Sequence, residues 1–203
     1  MVLAVVIVAG LMAAFWPRRS LPSVSGSVPI HLLLDPPGGT SFAGEFSVSA
    51  DGSKLAAVIL DRDHSRKLYV HSLSSLTGEI LSDTDGAAAP FWSPDSKSIG
   101  YFARQSLRSI AASGGPSHAI ANALRPGVAA WNREGTIIFN PDGVAELHSV
   151  SAQGGATERV TRLAEGAIGG HIAPQFLPDG RHFLFAASNR DPRKTGIFVG
   201  SLD

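Results

Sequence analysis

The sequence predicts an all-β protein, a β-propeller of four repeating four-stranded blade units, with an N-terminal transmembrane helix. Three observations predict it. One short motif returns four times at near-constant spacing, period-two apolar runs follow each copy, and the first 16 residues carry no charge before an abrupt Pro-Arg-Arg. Glycine (22 residues) and proline (13) are plentiful, while aromatic residues make up only 7%. That balance suits short strands joined by tight turns better than long helices.

The repeated motif is VSADG (Val48 to Gly52), WSPDS (Trp92 to Ser96), WNREG (Trp131 to Gly135) and FLPDG (Phe176 to Gly180). Each copy has a large apolar residue, two further residues, an acid, then Gly or Ser. The acids Asp51, Asp95, Glu134 and Asp179 advance from 51 to 95 to 134 to 179, in steps of 44, 39 and 45 residues. Blades of four strands repeat at about 40–45 residues. After each acid the apolar residues alternate: Leu55, Ala57, Ile59; Ile99, Tyr101, Ala103; Ile137, Phe139; Phe183, Phe185, Ala187. Such alternation marks half-buried strands. Third strands are expected from Leu68, Leu107, Leu147 and Ile197. Glycine turns then lead to fourth strands in the first three units, near 79–82, 117–120 and 157–161. The blade units fall at about 44–83, 88–121, 127–162 and 172–203, the last stopping at Leu202-Asp203 before an outer strand.

The acid motif has a structural cause. Pro94 and Pro178 preset the turn, Gly or Ser tolerates its last position, and the carboxylate accepts nearby backbone N–H groups. Trp92, Trp131 and Phe176 close the preceding strands and are expected to pack between neighbouring blades. One acid per blade sets the four acids apart around a ring, which argues against a shared metal site or catalytic pair. The ring is expected to be incomplete, with further blades beyond Asp203. The stretch Ile30 to Leu34 (IHLLL) is a strand candidate that could instead complete the last blade.

Residues Met1 to Trp16 read as a transmembrane or signal-anchor helix, slightly short of the roughly 20 apolar residues of a full span. A cleaved signal is disfavoured, because no Lys or Arg precedes the apolar run and no small-x-small site directly follows it. A buried core helix is disfavoured by the lack of any polar period. Residues 17–29, rich in Ser, Pro and Gly, read as a linker, and 30–203 as the propeller. Partners are therefore the membrane, through residues 1–16, and a protein or peptide on a propeller face. The propeller is placed outside the cytoplasm (periplasmic), although Arg18 and Arg19 bias that flank toward the cytoplasm.

The segments WSPDSKSIGYFA (Trp92 to Ala103), SAQGGATERVT (Ser151 to Thr161) and PQFLPDGRHFLF (Pro174 to Phe185) resemble TolB-type, WD-like propeller repeats. Their order, with WNREGTIIF between them and GIFVGSLD at the end, is similar to the propeller region of many bacterial transmembrane serine/threonine protein kinases. In those proteins a cytoplasmic kinase domain precedes one transmembrane helix and then the propeller. The resemblance implies a sensing or interaction module, a TolB-like periplasmic scaffold, or a piece of a kinase whose catalytic domain lies upstream.

The chain carries no Gly-rich loop before a strand lysine, no HRD-type loop and no DFG, so no kinase role transfers to any position. G-x-S-x-G and HExxH are likewise missing. His31, His64, His71, His118, His148, His171 and His182 read as surface or strand residues. The glycine pairs at 38–39, 114–115, 154–155 and 169–170 read as turns, since no helix follows to make a phosphate loop. Acids and bases balance at 17 each, which gives nucleic-acid binding no support. With no cysteine, disulfides and thiolate metal sites are ruled out. No cofactor or metal is expected.

Overall fold

The computed structural model describes residues 33–203. They form fifteen β-strands and one 3-10 turn. The first sheet contains β1 (Ser41–Val48), β2 (Lys54–Leu60), β3 (Arg66–Ser72) and β4 (Gly78–Ile80). The second contains β5 (Ala88–Trp92), β6 (Ser98–Ala103), β7 (Ser106–Ala111) and β8 (His118–Asn122). The third contains β9 (Ala129–Trp131), β10 (Thr136–Phe139), β11 (His148–Ser151) and β12 (Glu158–Arg159). The fourth holds β13 (Ile172–Phe176), β14 (His182–Ala187) and β15 (Gly196–Ser201). Three sheets thus have four strands and the fourth has three. The helix read at 1–16, the linker at 17–29 and most of the strand candidate Ile30 to Leu34 lie outside the described residues. Leu33 and Leu34 carry no regular structure. No helix among the described residues is long and apolar enough to cross a membrane.

Every sheet is an antiparallel meander in chain order. The first strands β1, β5, β9 and β13 touch in series and form the inner row, with each meander running outward from it. Antiparallel pairing puts the first and third connections of each sheet on one face of the assembly and the second connection on the other. The first of these is the turn face. The four acid motifs lie there, since each joins a first strand to a second.

The cores sit between sheets. On β6, Ile99, Tyr101 and Ala103 join Ala56, Val58, Leu68 and Val70 of the first sheet, while Phe102 joins Ile137, Phe139 and Val150 of the third. On β10, Ile137 and Phe139 face the second sheet, and Ile138 packs with Phe183 of the fourth. Hence Ala56 to Ile59 on β2, Ile99 to Ala103 on β6 and Ile137 to Phe139 on β10 are buried without interruption. This corrects the half-buried reading of those strands. The second and third sheets are flanked by sheets on both sides and have no wet face, so β6 and β10 carry buried apolar residues in both registers. β14 differs: only Phe183 is fully buried there.

Trp92 is buried in the first inter-sheet core, and its indole N–H donates to the Ser47 carbonyl of β1 at 2.9 Å. Trp131 is half-buried against the second core, edge-on to Phe91 with centroids 6.3 Å apart. Phe176 is half-buried against the third, edge-on to Phe183 at 6.3 Å. All three therefore lie at boundaries between consecutive sheets.

The inner strands also bulge. Register shifts interrupt β1, β5 and β13, and the residues Gly44, Ala89 and Ala173 inside them have positive φ (84°, 47° and 52°). Each bulge raises the local twist of its inner strand.

One glycine is fixed by close approach. Gly100 on β6 pairs with Phe91 on β5, and a Cβ there would lie 2.2 Å from the Phe91 ring. Gly100→Ala is expected to destabilise the protein by about 2–3 kcal/mol, as overpacking of a filled core does. Urea unfolding of the two proteins side by side checks this, and an unchanged midpoint contradicts it.

Candidate functional site

The turn face is built from four five- or six-residue turns that satisfy their own polar groups. In the first, the Asp51 carboxylate accepts from the Ser49 hydroxyl (2.6 Å), the Ser53 N–H (2.9 Å) and the Ser53 hydroxyl (2.8 Å), while Ser49 Oγ accepts from the Lys54 N–H (2.9 Å). In the second, Asp95 accepts from the Ser93 hydroxyl (2.6 Å) and the Lys97 N–H (3.0 Å), and Ser93 Oγ accepts from the Ser98 N–H (2.9 Å). In the fourth, Asp179 accepts from the N–H groups of Arg181 and His182, both at 3.0 Å, and its other oxygen lies 2.6 Å from His182 Nδ1.

These contacts favour the ionised acids. The Ser49 hydroxyl, followed by the Ser53 donors, holds Asp51 down to about 2. The His182 side chain, with the two backbone N–H groups, holds Asp179 down to about 2. Ser93 chiefly lowers Asp95. Carboxylates held charged by donors of their own turns are structural anions rather than proton-transfer groups.

The third turn is built differently. Trp131 and the apolar residue that opens the buried part of the next strand, Ile137, are six positions apart, against seven in the pairs Val48–Leu55, Trp92–Ile99 and Phe176–Phe183. The closing N–H correspondingly runs from Asn132 to Thr136 O, not across five residues as from Ser93 to Ser98 O. In this shorter turn Asn132 takes the part of the serines: its Oδ1 accepts from the Thr136 N–H at 2.7 Å. Glu134 accepts no hydrogen bond from a described residue. It lies instead over Gly180, where a Cβ would meet Glu134 Oε2 at 2.4 Å. Sequence reasoning grouped Glu134 with the three aspartates, but their bonding is shared with Asn132.

Consecutive turns also touch, without bringing any two of the four acid side chains together. The Asp51 N–H donates to Ser96 Oγ of the second turn at 3.1 Å, and Asn132 Nδ2 donates to the Gly180 carbonyl of the fourth at 2.8 Å. No equivalent bond joins the second and third turns among the described residues. A hollow of about 490 Å³ opens between them, lined by Pro94, Asp95, Trp131, Arg133 and Gln153 among others. A second hollow of about 140 Å³ shares Pro94, Trp131 and Arg133 with it and continues toward Phe176, Leu177 and Pro178. No group of three or more His, Cys, Asp or Glu side chains among the described residues is placed to hold a metal.

Several polar ties escaped sequence reasoning because their partners are far apart in the chain. Glu45 on β1 accepts from the Ala89 N–H at 2.6 Å and pairs with Arg66, whose Nε reaches the Ala87 carbonyl at 2.8 Å. Asp83 accepts from the Ser117 N–H (3.1 Å) and hydroxyl (2.8 Å) and faces Arg104 at 3.3 Å. Two histidines are buried, His71 on β3 and His171 just before β13. His71 lies between the Tyr69 hydroxyl (2.8 Å) and the Ser75 carbonyl (3.1 Å). His171 lies 2.7 Å from the Thr161 hydroxyl, and burial lowers its pKa, which keeps the imidazole neutral. The basic stretch Arg190 to Lys194 includes a 3-10 turn at Pro192–Lys194, capped by Asp191.

Radial meanders on an inner row, with cores between sheets, decide the architecture when compared with known structures. The chain is similar to a protein assigned as TolB from Agrobacterium tumefaciens, with a TM-score of 0.62 at 17% identity over 79% of this chain and 67% of that one. The fold is a TolB-like β-propeller. TolB from Acinetobacter baumannii aligns with a TM-score of 0.56 at 18% identity, over 76% of this chain and 42% of that one. The β-propeller domain of the Trilobed protease from Pyrococcus furiosus aligns with a TM-score of 0.53 at 12% identity, over 79% and 55%. This propeller thus spans from under half to two thirds of the chains it resembles. No family model matches the sequence, and no curated protein matches it.

Asn132→Ala removes the acceptor of the Thr136 N–H and the donor of the Gly180 carbonyl, both at a buried position. A loss of about 2–3 kcal/mol is expected from two such bonds. Glu134→Ala, at an exposed side chain, is expected to leave the unfolding midpoint unchanged. Chemical denaturation of both variants checks the assignment, and the reverse order contradicts it.

Proposed function

We propose that this chain is a non-catalytic, membrane-anchored β-propeller that binds a protein or peptide on its turn face. The observation that carries the reading is the bonding of that face. Asp51, Asp95 and Asp179 are tied into their own turns, and neighbouring turns interlock through Ser96 and through Asn132. The result is a preorganised surface whose turns have little backbone freedom left to lose on association. The uncharged segment Met1 to Trp16 and the Ser/Pro/Gly-rich stretch after it support an anchor and a tether. The resemblance of the repeats to the propeller region of bacterial transmembrane serine/threonine kinases supports a sensing role outside the cytoplasm. Similarity to the Agrobacterium and Acinetobacter TolB structures favours a second reading, a TolB-like periplasmic scaffold, and binding through a propeller face is common to both.

A photo-reactive residue placed at Gln153 (turn face) or at Arg190 (opposite loops) of the full chain, in the membranes of the producing cell, tests the proposal. The expected result is a discrete light-dependent adduct from Gln153, none from Arg190, and retention of the protein in salt-washed membranes. Adducts from Arg190 alone, from neither position, or release of the protein by salt overturn it.

A further inference from the structure

The groove between the second and third blades exists because the third turn is one residue short. Elsewhere a turn-to-turn hydrogen bond closes the corresponding gap, through Ser96 in one case and Asn132 in the other. Here the two turns stand apart, and the hollow between them borders, at Pro94, Trp131 and Arg133, the smaller hollow that reaches the fourth turn.

Its lining has an uneven chemistry. The Trp92 indole N–H is bound to a carbonyl, whereas that of Trp131 donates to no described residue. The Trp131 nitrogen is not sealed from solvent either, because no buried side-chain nitrogen or oxygen lacks a partner among the described residues. Asp95 spends only Oδ1 on its own turn; Oδ2 accepts from no described residue. The Arg133 guanidinium has neither a carboxylate nor a hydrogen-bond acceptor among the described residues, and it is not within pairing distance of Asp95. Toward the fourth turn the lining adds three apolar side chains, Phe176, Leu177 and Pro178.

An occupant must therefore offer four things together: an apolar ring or side chain for the indole face, an acceptor for the indole N–H, a second acceptor for Arg133, and a cation or donor for Asp95 Oδ2. A polyproline II segment supplies the first three, because it has no internal hydrogen bonds and its carbonyls stay free. Aromatic-lined grooves recognise such segments at low entropic cost. A lysine or arginine beside the prolines supplies the fourth.

We propose that this groove binds an extended, proline-containing peptide with a flanking basic residue. A proline ring lies on Trp131, backbone carbonyls accept from the Trp131 N–H and Arg133, and the basic side chain reaches Asp95. The proposal rests on the turn face being the binding surface.

The test titrates the full chain, in detergent micelles, with a synthetic peptide of one arginine followed by about eight prolines, extended at about 3.1 Å per residue. Its alanine-for-arginine counterpart and cellotetraose are run in parallel, all followed by calorimetry. The arginine peptide is expected to bind. Trp131→Phe, which keeps an aromatic face and loses the N–H, is expected to weaken it about five- to tenfold. Asp95→Asn, whose amide oxygen can still accept from the Lys97 N–H, is expected to abolish the preference for arginine over alanine. Absence of binding by either peptide at millimolar concentration, equal affinity in the wild type and both variants, or binding of cellotetraose in the peptides' place overturns the proposal. If the peptides fail while the Gln153 adduct persists, the groove assignment falls and the turn-face reading stands. Loss of the adduct itself removes the reading beneath it.

Discussion

A four-stranded antiparallel sheet cannot bury either of its faces alone, and this constraint organises the whole molecule. Each face has to be covered by a neighbouring sheet, so the cores form between blades rather than within them. Trp92 marks the first of these seams. Its ring lies among Ala56, Val58, Leu68 and Val70 of one blade and Ile99, Tyr101 and Ile110 of the next, and its N–H is bound to the Ser47 carbonyl. Burying a side chain of this size is worth several kcal/mol. The bound N–H avoids the penalty that an unpaired donor in the seam would carry. The unbroken burial of the middle strands and the glycine opposite Phe91 follow from the same requirement, since neighbouring sheets approach until no gap remains.

The turn face answers a second demand. Tight connections leave backbone N–H groups with no strand partner, and the aspartates and serines of the repeat take them up. Once satisfied, the turns are stiff enough to meet one another across the seams. The exception follows from the same logic. With one residue fewer, the third turn uses the Asn132 amide oxygen in place of a serine and spends the amide N–H on the fourth blade. The seam toward the second blade is left open, and Trp131 is half-buried there where Trp92 is enclosed.

Much of this was legible in the sequence. The step between Asp51, Asp95, Glu134 and Asp179 gave the blade period, and the alternating runs after them located the second strands. The strand order within each blade, the lack of an outer strand in the last unit and the positions of Trp92, Trp131 and Phe176 at blade boundaries could be read from the same pattern. What could not be read depends on distance in the chain or on backbone geometry. Glu45 and Ala89 are 44 residues apart, and nothing local to either announces the other. The positive φ of Ala89 and Ala173 carries no glycine signature. Phe102 and Ile138 fall between the counted alternating positions, so burial of the second face was missed. His71 and His171 sit in otherwise ordinary strand and loop contexts. The missing residue before Ile137 was visible, but its consequence, an open groove, needs the positions of two turns at once.

The central claim is that neighbouring blades stabilise one another through shared seams rather than standing as independent sheets. Native-state hydrogen exchange of the full chain carrying Trp92→Ala tests this most directly. Truncation at a shared seam must loosen both sides of it, so protection is expected to fall together in β2 and β3 of the first blade and in β6 and β7 of the second, with β14 and β15 least affected. Loss of protection confined to β5 and its immediate partner would show that each sheet holds itself together, and would contradict the account.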